Sequence, residues 1–463
     1  MATALYDSMV SIVGEQNVSS KEMDLICYSS DLAPLPDTII SSYGMKPPAV
    51  VVRPKNADHI SAILKFANKE RVPVTSRGGA SSAMGGCLPM DGGIVLDMTS
   101  MDLILSIDED GMRVTAQSGV TFDKLLQEMK KKNLKPGTYP SSAPSATVGG
   151  YISNGGSAGI GAPKYGSISS QIIQLEVVLP DGEILSVNNP LSYLFVGAEG
   201  TLGVITKAVL RAYPVPESSA ALAYGFNDVT SACGGLRNLS RHGIKPYFLT
   251  LMDRRLLEIT SRLGIEVPIH EIVISLNLEG KKEIVATQER VVDKIFSNGR
   301  KLETAFAEEE WERRYKAELF VKRAGPTIML VEANVPINRL EETIDQVRNV
   351  SKKLGLNACF YGIMTYGRSM LTMPIVLTDE RNQEGYFDTM LSALKLTSVI
   401  ISMGGVIYGV GLHNSIFMEL VHDKKRLETM KLLKKTFDPY GIMNPGKLTE
   451  CRMSWMMALI SPR

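Results

Sequence analysis

Two runs of glycine and small hydroxyl residues carry the clearest chemical signal in the chain. The first is Arg77-Gly78-Gly79-Ala80-Ser81-Ser82-Ala83-Met84-Gly85-Gly86. The second runs Pro140-Ser141-Ser142-Ala143-Pro144-Ser145-Ala146-Thr147-Val148-Gly149-Gly150 and continues through Asn154-Gly155-Gly156 to Lys164-Tyr165-Gly166. Glycine lets backbone approach a ligand closely and adopt positive φ. Serine and threonine add donors without bulk, so that successive N–H groups can face one anion. The chemistry this pair suits is the gripping of a diphosphate, as in a nucleotide cofactor.

Such loops need elements to aim them. A β-branched strand is expected at 48–54, then a helix from Asn56 to Glu70 with Ile60, Ile63, Leu64 and Ala67 on one face, then a strand at Val72–Thr75. The glycines follow the second strand and open no helix, so the dinucleotide fingerprint of a Rossmann unit fails on context. Strands are predicted at Gly93–Asp97 and Arg113–Ala116, and an amphipathic helix at Thr121–Lys131. A hairpin follows, from Ile172–Leu179 to Ile184–Val187 across Pro180-Asp181-Gly182-Glu183. Pro214 and Pro216 mark a boundary. Beyond it, strands at Glu271–Leu278 and Ile328–Val335 alternate with helices at Glu283–Phe296 and Arg339–Leu354. A basic helix at 424–437 leads into Asp438-Pro439-Tyr440-Gly441-Ile442-Met443-Asn444-Pro445-Gly446-Lys447.

Bulk composition narrows the class. The 463 residues exceed one ordinary core, and 44% apolar with 21% charged residues is usual for a globular enzyme. A net charge of +1 without a basic run gives no reason to expect nucleic acid. The five cysteines (Cys27, Cys87, Cys233, Cys359 and Cys451) are never in C-x-x-C spacing, which argues against disulfides, zinc and iron–sulfur clusters and for a reducing, cytoplasmic setting. No signal pattern and no 18-residue apolar stretch occur. The closing Trp455-Met456-Met457-Ala458-Leu459-Ile460 is too short to span a bilayer and is expected to pack on its own protein, with peripheral membrane contact as the alternative.

In this order the pieces resemble the flavoprotein family of vanillyl-alcohol oxidase and para-cresol methylhydroxylase, in the branch of D-lactate dehydrogenase and the glycolate oxidase large subunit. Arg77–Gly86 matches the family's first loop and Pro140–Gly166 its second. Glu199-Gly200-Thr201-Leu202-Gly203-Val204-Ile205-Thr206 matches its flavin-side strand, and Asn444–Lys447 its Asn-Pro-Gly-Lys tail. The resemblance implies an α+β fold: a two-subdomain FAD-binding domain over 1–215, an α+β cap with an antiparallel sheet and helices over 216–420, and a return to the FAD domain over 421–463. It places FAD against Arg77, Gly78, Gly79, Ala80, Ser81, Ser82, Gly85, Gly86, Pro140, Ser141, Thr147, Gly149, Gly150, Asn154, Tyr165, Gly166, Glu199, Gly203, Ile205, Asn444 and Lys447.

Two departures from the family shape the expected chemistry. Some relatives hold FAD covalently through a histidine at the position of Ala80, so non-covalent FAD is expected here. Hydroxy-acid relatives carry metal-binding histidines where this chain has Ile363 and Met370, and a Glu-His pair where it has Val410 and Gly411. These side chains offer no hard-metal ligand, so no metal site is expected. Trp311-Glu312-Arg313-Arg314 resembles the cap's Trp-x-x-Arg, which implies that Arg314 binds a substrate carboxylate; a solvated helix face is the plainer reading. Tyr366 and Arg368, in the stretch that carries metal ligands in relatives, are expected to bind an anionic or phenolic oxygen, with Tyr361 and Tyr408 facing the same space. His413 stands two positions past the lost histidine and is a candidate base; a structural histidine is the alternative.

The resemblance therefore implies an FAD-dependent oxidoreductase that removes a hydride from a small hydroxyl-bearing substrate, with D-2-hydroxy acids leading. Electrons would pass to oxygen, a quinone or a separate iron–sulfur protein. Two alternatives stay open: metal-independent oxidation of a phenol or other alcohol, and a non-catalytic flavin-bearing subunit in a homo- or hetero-oligomer.

Overall fold

The computed structural model describes residues 2–33, 35–36, 40, 44–315 and 321–451; the closing apolar run lies outside them. Three sheets build the described chain. In the first, Val50–Val52 and Val74–Arg77 flank Ile94–Asp97 in parallel, and Val18–Ser19 joins antiparallel to Val50–Val52. Parallel neighbours need a crossover, and the helix Ala57–Glu70 supplies it, packing Ile60, Ile63, Leu64 and Ala67 on Val50, Val52 and Val74. Asn56 caps that helix by accepting from the His59 N–H at 2.8 Å, and Arg71 ends it in the left-handed region.

Six antiparallel strands form the second sheet, ordered Ile104–Asp108, Arg113–Gln117, Val204–Pro214, Ile172–Val178 and Ile184–Asn188, with Leu134–Pro136 also on Val204–Pro214. The hairpin read at 172–187 is present. Nine strands make the third sheet, starting at Ser218–Phe226. Its helices Val229–Arg241, Lys282–Ile295, Leu340–Lys353 and Gln383–Ser402 bury the face that carries Tyr224, Leu249, Leu251 and Ile274. The opposite face joins the core of the six-stranded sheet.

One expected strand is two. Residues 328–335 divide into Thr327–Leu330 and Ala333–Pro336, which pair with different stretches of Ser369–Thr378. The register is unbroken across the two-residue interruption at Val331-Glu332, where the Val331 N–H reaches the Pro374 carbonyl and the Glu332 carbonyl accepts from the Tyr408 N–H.

The last described segment folds back on the first sheet. Val74 donates to the Ile442 carbonyl, and Asn444 donates to the Val74 carbonyl, each at 2.8 Å. Lys434, itself buried, ties this return together through the Thr201 and Met443 carbonyls and the Asp438 carboxylate.

Candidate active site

The two glycine-rich loops meet face to face, and the glycines make that contact sterically feasible. A Cβ on Gly78 would lie 2.3 Å from Thr147 Oγ1, and one on Gly79 would lie 1.8 Å from the Ser145 carbonyl oxygen. Thr147 caps the short helix Val148–Ser153 by accepting from Gly150 N–H, and Gly149 rests on Ser118. Between the loops opens a cleft of about 1830 Å³, its mouth included.

Arg77, Gly78, Gly79, Ala80, Ser81, Ser82, Gly86, Pro140, Ser141, Thr147, Gly149, Gly150, Asn154, Glu199 and Ile205 line this cleft. The N–H groups of Gly79, Ala80, Ser81, Ser82, Ser141 and Ser142 have no acceptor among the described residues. Unpaired amides are costly unless something accepts from them, and six on one cleft wall suit a diphosphate better than any neutral group. The residues present therefore fit the cofactor that the loops suggest.

Other sequence candidates fall outside the wall. Tyr165 stacks on Tyr213 and donates to Glu279 Oε1 at 2.7 Å, so it joins the sheets and leaves the ligand space. Gly166 packs on Ser170, Gly203 on the Val178 carbonyl, and Gly85 on Leu412. Asn444 Nδ2 bonds the carbonyls of Gly86 and Glu199, and the buried Lys447 ammonium donates to the Leu88 carbonyl at 3.0 Å; both brace the first loop from behind.

Glu199 does more than line the cleft. Its Oε1 accepts from the N–H groups of Val410 (3.0 Å) and Gly411 (2.8 Å), which fastens the loop at 405–414 to the cofactor side. Burial pushes its carboxyl from the ordinary 4.5 up to about 7, against those two donors and the Lys447 charge. The folded chain thus holds a proton that the unfolded chain releases between pH 4.5 and 7, so stability falls as pH rises through this window and levels off above it. At about 1.4 kcal/mol per unit the loss is on the order of 3 kcal/mol. Urea titrations from pH 5 to 8 should show that slope in the parent and a flatter one in Glu199→Gln; parallel slopes would refute the assignment.

The catalytic candidates separate. Tyr366 is 56% exposed, and Arg368 is exposed at φ 64°; both sit in the turn between the strands Cys359–Thr365 and Ser369–Thr378, away from the cleft. His413 is half-buried as a residue, its Nε2 is buried without a partner among the described residues, and burial with the nearby Lys447 charge lowers its pKa to about 4. It does not line the cleft and, being neutral, serves as packing. Arg314 stays close. Its guanidinium lies over the rings of Trp311 (4.2 Å) and Tyr315 (4.4 Å), and Trp311 meets Phe248, which lines the cleft. Of the tyrosines, Tyr408 reaches the wall and Tyr361 does not. Phe248, Ile363, Leu371 and Glu332 line it too, and sequence reasoning gave none of them a role there. Among the described residues no group of three or more His, Cys, Asp or Glu side chains is arranged to hold a metal ion. No described helix is long and apolar enough to cross a membrane.

Amide-rich loops beneath a sheet-backed roof define a flavin-dinucleotide oxidoreductase. The chain belongs to the FAD-linked oxidase family: residues 48–188 match an FAD binding domain and residues 215–448 the C-terminal domain of FAD linked oxidases. It is 30% identical to the glycolate oxidase subunit GlcD of Bacillus subtilis, over 96% of each chain. It is 29% identical to a D-lactate dehydrogenase of Archaeoglobus fulgidus, over 86% of this chain and 91% of that one. A p-cresol methylhydroxylase structure superposes with a TM-score of 0.79 at 18% identity, covering 96% of each chain, and shares the fold. FAD is the cofactor, and the chain is an FAD-linked oxidoreductase related to glycolate oxidase and D-lactate dehydrogenase.

Proposed function

We propose that this chain oxidises a small D-2-hydroxy acid, with FAD held non-covalently by residues 1–215 and the substrate covered by residues 216–420. The observation that carries the reading is Arg314, a half-buried cation beside the cleft whose Nε has no partner among the described residues. Its other nitrogens are occupied, Nη1 by the Trp311 carbonyl and Nη2 by the Tyr315 hydroxyl. Glu312 Oε2 also lies 3.7 Å from Nη1, and aromatic stacking fixes the guanidinium plane, which leaves Nε as the donor for one oxygen of a substrate carboxylate.

When bound, FAD supplies the two-electron acceptor for the substrate's carbinol C–H. Arg314 anchors the acid end, Tyr408 orients the hydroxyl, and the Glu332 carboxylate takes its proton. Ala80 has no side chain that could attach the cofactor. The names of the relatives support the hydroxy-acid class, and the word subunit in one of them supports a protein partner that takes the electrons. The phenol alternative relied on Tyr366 and Arg368, and their exposure removes its support.

Anaerobic titration of the yellow holoprotein with D-lactate and glycolate should bleach the visible flavin band, with or without a chelator. Arg314→Ala should raise KM about a hundredfold, the scale of a lost desolvated charge pair, while kcat changes little. Unchanged KM in that variant would remove Arg314 from the site; no bleaching by any hydroxy acid would overturn the reading itself.

A further inference from the structure

Sheet register places several apolar side chains on the cleft face of the cap. Ile363 lies opposite Leu371 and opposite Thr250, and Phe248 is two residues from Thr250 on the same strand. Leu330 lies opposite Ile375, which shares a face with Leu371. Side chains alternate along a strand and directly paired residues share a face. Phe248, Ile363, Leu371, Leu330 and Ile328 therefore form one continuous apolar surface across four neighbouring strands, and all five line the cleft. The residues next to them in sequence, Leu249, Met364, Met370 and Met329, point the other way into the helix-covered core.

This roof faces the amide-rich loops. The loops' unpaired donors occupy the wall suited to a diphosphate, while the cap wall presents methyl groups and a ring. Its ionisable members are Glu332 and Tyr408, on the side of Ala333–Pro336, and the exposed Lys322 near Thr327 and Ile328, while Arg314 stands outside the wall, past Phe248 and Trp311. Phe248, Ile363 and Leu371 open to the cleft only at their tips, but they sit on three neighbouring strands that together span about 10 Å, more than the methyl of lactate or the hydrogen of glycolate can reach across. Apolar area gains free energy only when a ligand covers it.

We propose that the substrate carries a branched aliphatic or aromatic group on its carbinol carbon, seated against Phe248, Ile363 and Leu371. This deepens the hydroxy-acid reading and rests on it. With the carboxylate on Arg314, the side group extends along the strand face.

The test compares D-lactate, D-2-hydroxyisocaproate and D-phenyllactate on the FAD-loaded protein. It also measures binding of the corresponding 2-oxo acids, read as shifts in melting temperature and in the visible flavin spectrum without turnover. Each added buried methylene is worth about tenfold or more in discrimination, so kcat/KM should rise at least about tenfold from lactate to the larger acids. Leu371→Ala should weaken phenylpyruvate about tenfold more than it weakens pyruvate. If that variant does not fold, Ile363→Val applies the same test with a smaller truncation. Lactate or glycolate turning over best would overturn this proposal alone. A uniform loss for all acids together with lost FAD would overturn it too, by assigning the surface to the cofactor. If no 2-oxo acid binds and no hydroxy acid bleaches the flavin, the hydroxy-acid reading fails and takes this one with it.

Discussion

Gly79→Ala should yield a protein that purifies without flavin. The new methyl would sit 1.8 Å from the Ser145 carbonyl oxygen, and that atom belongs to backbone. No rotamer change can relieve such an overlap, so the two loops must separate and their amides diverge. Overpacking of this kind costs about 3 kcal/mol, or about a hundredfold in FAD affinity. The check is the ratio of visible to ultraviolet absorbance in the purified variant and the midpoint of an FAD titration. Gly234→Ala is the control, because its Cβ would meet only the Arg237 side chain at 3.9 Å within the helix Val229–Arg241. A yellow Gly79→Ala protein with parent-like affinity would show that the loops do not need this contact.

The second large effect is expected at Glu279. Its carboxylate, buried at the end of Ile272–Gly280, pairs with Lys135 from the six-stranded sheet and accepts from Tyr165; Lys164 donates to its carbonyl at 2.7 Å. Lys135 lies 3.6 Å from the ring centre of Tyr247, and burial lowers its pKa to about 8 even with Glu279 beside it. Removing the carboxylate strands a cation among aromatic rings. Breaking a buried pair from one side costs about 3–5 kcal/mol, so Glu279→Ala should show a large drop in urea midpoint. Adding Lys135→Met to it should restore a good part of the loss, because the stranded charge leaves with its partner. Additive losses in the double variant would mean that the charge pairing is not what holds the sheets together.

How much of this was legible in the sequence depends on the range of the forces involved. The helix after Asn56, the hairpin at 172–188 and the meeting of the two glycine-rich loops are local patterns of period, cap and glycine, and they stand where the residues said. The strand expected at 328–335 is present in one register against Ser369–Thr378, and only the brief interruption at Val331-Glu332 was not legible in that apolar run. Tyr366 and Arg368 were misplaced. Tyr-Gly-Arg between two apolar runs is a hairpin signal, and Gly367 and Arg368 both take positive φ there, but the family alignment outweighed it. Of the roof residues, Ile363 and Leu371 share one hairpin, while Phe248 comes from a strand far earlier in the chain. Their common face appears only once the register is fixed, which no local pattern reveals.

The return of the last described segment has a consequence for how this molecule is made. Val74 bonds to both Ile442 and Asn444, so the first sheet gains its outer partner only when almost all of the chain exists. Until then Val74–Arg77 is an open edge of that sheet. The sheet that carries the first glycine-rich loop therefore draws on both ends of the described chain, and a cut after the second sheet would leave Val74 without these partners.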